Sequence, residues 1–83
     1  MNLRDCANQV GLELTPLNSR VLVSLFEACV DDMNEGDVIP QGHMFAGVLS
    51  KGINLHEFNL MLAALEIGGV IERNESNHTV KCL

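Results

Sequence analysis

The 83 residues predict a mainly α-helical domain closed by a small β-hairpin, an α+β fold. Three observations carry this reading. Apolar residues recur at helical spacing in four separate stretches. Polar caps stand before several of those stretches and glycines behind them. From Val70 to Leu83 the pattern changes to two short alternating runs around a polar turn.

The first helix is expected over residues 3–10, with Asn2 as its cap, Leu3, Cys6, Ala7 and Val10 on one stripe, and Gly11 as its stop. Leu12 to Leu14 is a connector. Thr15 and Pro16 open a second helix, a hydroxyl cap followed by a proline at the first helical position, which runs to about Met33. Leu22, Phe26, Cys29, Val30 and Met33 follow the helical period, and Leu17, Val21 and Leu25 widen the stripe. Arg20, Ser24, Glu27, Asp31 and Asp32 make its wet side. So broad an apolar face suits the central helix of a small domain.

Residues 34–37 (Asn-Glu-Gly-Asp) read as a turn, and Val38-Ile39-Pro40 as a short extended segment, because the residue before proline is pushed out of the helical region. A further helix over about Gln41 to Ser50 directs Met44, Phe45, Val48 and Leu49 to the core, with close packing expected at Gly47 and a left-handed stop at Gly52. The next start is the sharpest. Asn54 is the cap, Glu57 sits at the third helical position, and Ile53 can staple onto Phe58. That helix ends near Ile67 at Gly68-Gly69. Val70 to Glu72 and His78 to Leu83 are the hairpin strands, with Arg73 to Asn77 between them; His78, Val80 and Cys82 share one face of the second.

Composition sets the class. A chain this short buries only about 60–65% of its unfolded surface, so its core must be dense in apolar side chains. At 47% hydrophobic residues it is, which excludes a disordered chain. No apolar run reaches the roughly 18–20 residues of a membrane span, and no long apolar leader follows Met1. A cytoplasmic protein is expected. Cys6, Cys29 and Cys82 are odd in number and widely spaced, which fits reduced thiols, mostly core. The sequons at Asn74 and Asn77 read as a polar turn. The formal net charge of −6, five basic residues against eleven acidic, disfavours nucleic acid as a partner.

The order of elements, and above all the run from Leu62 to Arg73 (two leucines, a glycine turn, an aliphatic pair and charge), resembles the winged helix-turn-helix superfamily over residues 16–83. Residues 1–15 are then an N-terminal helical extension, packed on the domain or on a partner. The resemblance implies that the capped helix after Asn54 is the recognition helix and the hairpin the wing.

Fold does not fix function, so the face of that helix decides. With Phe58, Leu62 and Leu65 inward and Leu55 and Met61 flanking them, the outer face holds His56, Asn59, Leu60, Ala63, Glu66 and Ile67. A DNA-reading helix shows Arg, Lys, Asn or Gln to base edges. This one has no Lys or Arg and offers Asn59 alone. His56, Asn59, Leu60, Ala63 and Ile67 read better as a protein contact, or equally as a seat for the N-terminal helix through Leu3, Cys6 and Val10. Leu60→Asp and Ile67→Asp are expected to leave the fold intact. The alternative is a DNA-binding regulator using His56 and Asn59, with Arg73 and Lys81 on phosphates, the wing's small basic cluster that His78 joins below neutral pH.

Other chemistry is weakly served. With Gly36 as the invariant glycine of a calcium loop, Met33 falls on a ligand position, so Asp31, Asp32, Glu35 and Asp37 read as a solvated helix end and turn. There is no phosphate loop, HExxH or GxSxG, and no metal-ligand spacing among His43, His56, His78 and the cysteines. A Cys82–His78 contact along one strand face is conceivable as core packing. No catalytic residue, metal, cofactor or small-molecule substrate is expected. The expected function is a non-enzymatic interaction module for a protein partner or its own copy, as an adaptor, a regulator or an inhibitor of nucleic-acid machinery.

Overall fold

The computed structural model describes residues 2–30 and 38–83. Among these the chain forms α1 (Leu3–Val10), α2 (Pro16–Val30), β1 (Val38–Pro40), α3 (Gln41–Leu49), α4 (Leu55–Ile67), β2 (Ile71–Asn74) and β3 (Thr79–Cys82). The α+β class stands, in a winged-helix-like arrangement. The expected turn at 34–37, the run of the second helix to Met33 and the acids Asp31, Asp32, Glu35 and Asp37 lie outside the described residues.

Side-chain caps start three of the helices. Asn2 Oδ1 accepts from the Asp5 N–H at 2.9 Å, Thr15 Oγ1 from Asn18 at 3.1 Å, and Asn54 Oδ1 from Glu57 at 2.8 Å. Each such bond satisfies a donor the helix itself cannot, a gain of about 1 kcal/mol. α3 begins at Pro40, which has no capping side chain; the Gln41 N–H instead donates to the His78 carbonyl at 2.8 Å.

Three helices end in the same paired turn. After α1, α3 and α4 a glycine of positive φ (Gly11, Gly52 and Gly69) reverses the chain. The next residue's N–H then reaches back to the helix: Leu12 to Ala7, Ile53 to Val48, Val70 to Leu65. This geometry needs left-handed backbone, hence glycine. Its product is an apolar residue delivered inward, since Leu12 and Ile53 are buried and Val70 packs against the core.

β1 and β2 both pair antiparallel with β3, in the order β1-β3-β2. The registers set Val38 and Glu72 beside Lys81, and Ile39 and Arg73 beside Val80. Period-two alternation therefore gives an inner face of Ile39, Ile71, Val80 and Cys82 and an outer face of Val38, Glu72 and Lys81. The helices pack behind the inner face. α4 lies against α1, α3 and β2, and its Phe58, Met61, Leu62, Ala64 and Leu65 are all buried. The Phe45 ring meets Phe58 at 5.3 Å between centroids, tilted by 42°.

Several expectations change. The central helix is α4, not α2, because three short strands and the neighbouring helices cannot cover the whole apolar arc of α2, and Leu17 and Val30 stay exposed. Leu49 and Leu55 are exposed as well, whereas Met61 is buried. Gly47 sits on the solvent side of α3, where an added Cβ would meet nothing within 4 Å, so no close packing explains it. The hairpin turn falls later than expected, at residues 75–78. His78 belongs to it, with φ +54, and is exposed where Val80 and Cys82 are buried.

Candidate functional site

The inner arc of α4 determines its outer one. With 3.6 residues per turn, burying Phe58, Met61, Leu62, Ala64 and Leu65 leaves His56, Asn59, Ala63, Glu66 and Ile67 on the opposite side, with Leu60 at the edge. His56, Asn59, Glu66 and Ile67 are exposed; Ala63 and Leu60 are half-buried. All five residues assigned from sequence to a protein contact thus share one stripe.

α1 lies along α4 and leaves part of that stripe open. Its start, at Leu3 and Cys6, lies by Gly68, and its end, at Gly11 and Leu12, faces His56 and Leu60, so it runs antiparallel to α4. Small residues allow the approach: a Cβ on Gly68 would stand 3.3 Å from Cys6 Sγ. Cys6 and Ala7 are fully buried. The choice between core seat and open face therefore divides by residue. Leu60 packs partly on the core, whereas Ile67 remains 46% exposed.

The wing's basic residues do not form one cluster. Arg73 turns toward α4, where its Nη2 and Nε donate to Glu66 Oε1 at 3.0 and 3.2 Å, with Glu75 Oε1 at 3.9 Å from Nε. Lys81 points to the outer face of the sheet, across the strand from Glu72. His78 is at the turn. Strand alternation separates Arg73 from Lys81, a consequence of the register that the spacing alone did not reveal.

A cleft of about 310 Å³ opens at the N-terminal end of the stripe, between the α1–α2 connector and the first turns of α4. Glu13 and Glu57 line it together with His56 and Leu60, and no Lys or Arg does. Beneath it Asn18, 4% exposed, donates from Nδ2 to the Glu13 carbonyl at 2.8 Å and pins the connector. Sequence reasoning missed this residue. An asparagine at the cap-plus-three position of a helix that follows a non-helical connector is the available signal.

All three cysteines are free and buried. Cys29, on the last turn of α2, meets Cys82 of β3. Burial, then the hydrogen bond its thiol donates to the Cys82 sulfur, then any charge on Cys82, push the Cys29 thiol up to about 12. A thiol so protonated is inert at neutral pH. The contact conceived for Cys82 is therefore with Cys29 and not with His78. Among the described residues, no group of three or more His, Cys, Asp or Glu stands together to hold a metal ion, and no helix is long and apolar enough to cross a membrane. No family model matches the chain, nor does any curated protein or solved structure.

Proposed function

We propose that this chain is a non-enzymatic winged-helix interaction module that holds a protein partner against the outer stripe of α4. One observation carries the reading: Leu60, Ala63 and Ile67 lie in line on a helix without a single Lys or Arg, while the adjacent arginine, Arg73, is engaged by Glu66. Sequence-reading helices put cations on phosphates and amides or guanidinium groups on base edges. Here Asn59 and His56 are the polar groups, and Glu66 borders them. Apolar surface with a polar rim is the composition of a protein contact. The roles of adaptor, regulator or inhibitor of nucleic-acid machinery all fit such a contact.

Because Leu60 leans on the core, Leu60→Asp costs stability, and the diagnostic change is Ile67→Asp. A photo-crosslinking residue placed at Ala63 in the source cell should give protein adducts that Ile67→Asp removes without shifting the melting temperature by more than a few degrees, the usual scale for surface changes. The same residue at Ser24, exposed on α2, is the control. Equal protein adducts from Ser24, or adducts chiefly to nucleic acid, contradict the reading.

A further inference from the structure

We propose that the partner's docking element is a cationic amphipathic helix, which lays apolar side chains over Leu60, Ala63 and Ile67 and sets a Lys or Arg side chain in the cleft between Glu13 and Glu57. This rests on the reading of the α4 stripe given above and adds the chemistry of what covers it.

Leu60 belongs to both the stripe and the cleft wall, so the two form one continuous surface. From His56 to Ile67 the stripe rises about 16–17 Å at 1.5 Å per residue, the length of three helical turns. A helix docks on such a surface through residues at i, i+3 or i+4, and i+7. The charge is polarised along it. At the far end the Glu66 carboxylate is occupied by Arg73. At the cleft end Glu13 and Glu57 both line the wall, which carries no lysine or arginine, and Arg4 stands in the adjoining cleft that Glu13 also lines. The helix dipole opposes a cation here, but it amounts to about half a charge, and two full carboxylates outweigh it.

The same charges choose among occupants. A second copy brings another net charge of −6, and its own α4, without Lys or Arg, offers the cleft no cation. A nucleic acid brings phosphates to the carboxylates. A basic helix satisfies both halves of the surface.

The test uses the full chain, 15N-labelled and titrated with a synthetic three-turn helix bearing leucines at i, i+3, i+4 and i+7 and lysines along its flanks, beside versions with glutamine or glutamate in place of lysine. The lysine peptide should shift amides of residues 56–67 and 11–15. It should bind about fivefold or more tighter than the glutamine peptide at low salt, as two partly exposed ion pairs supply. Glu13→Gln with Glu57→Gln should close that gap while the spectrum stays folded. Equal affinity of the lysine and glutamine peptides at the same amides overturns the cationic assignment and leaves the stripe as an interface. Shifts elsewhere that Ile67→Asp does not affect, the same amides shifted by random-sequence duplex DNA, or no shift with any peptide overturn the assignment as well.

Discussion

Arg73, the third residue of β2, donates its side chain and its backbone N–H to the carboxylate of Glu66 on the last turns of α4, the backbone contact at 3.4 Å. The pair closes around the turn at Gly68-Gly69 and clamps the hairpin to the helix. It also withdraws from solvent the arginine that a DNA-binding wing needs, leaving its side chain 20% exposed.

Glu66→Gln should release that clamp. A partly exposed ion pair of this kind contributes about 1 kcal/mol or less, so the urea midpoint should fall only slightly. Amide exchange in β2 should accelerate more than in the buried stretch of α4, because the loss is local. Uniform exchange changes, or none, would place the hairpin's anchorage elsewhere.

Gly47→Ala should stabilise the protein by up to about 1 kcal/mol. The residue is helical and exposed, and its Cβ would meet nothing, so the substitution removes backbone freedom from the unfolded chain without a steric cost. A higher denaturation midpoint is the expected readout. A lower one would mean that α3 packs against something at this position.

The two glycines after α4 should fail differently. Gly69→Ala meets open space but carries φ +76, so its cost of about 1–2 kcal/mol is backbone strain alone. Gly68→Ala has an ordinary backbone and presses on Cys6 Sγ at 3.3 Å. Cys6→Ala should relieve the second substitution and not the first. Denaturant melts of the three single and two double variants, compared as two cycles, read this directly.

Alkaline pH should weaken the fold through Cys29. Its thiol stays protonated to about 12 in the folded chain against an ordinary 9.0. The stability it contributes is complete below pH 9 and is lost as pH rises from there toward 12, by up to about 1.4 kcal/mol per unit. The stability difference between wild type and Cys29→Ala should therefore shrink above pH 9 and be constant below it. A difference that is flat through pH 10.5 would mean that the thiol ionises normally in the fold.

What was legible in the sequence was local. Caps at Asn2, Thr15 and Asn54 and the stops at Gly11, Gly52 and Gly69 act within a few residues, and the structure has each of them. The inner arc of α4 followed from periodicity. The pairing of Val38–Pro40 with β3 did not, because those partners lie far apart in the chain and a three-residue strand carries no pattern of its own. Neither did the exposure of Leu17 and Val30, since a periodic stripe shows which side is apolar and not how much of it neighbours reach. At the site, the α4 stripe could be read from spacing. The Glu66–Arg73 clamp and the Glu13–Glu57 cleft could not, because each depends on how one element lies across another.

The most direct test of the central claim, that the face of α4 is built for protein and not for DNA, is a fluorescence-polarisation titration of the chain with random-sequence duplex DNA at about 50 and 200 mM salt, a range over which real phosphate contacts cost decades of affinity. The account predicts no binding at either concentration. Binding that weakens steeply with salt, and weakens further in Arg73→Ala, would contradict it.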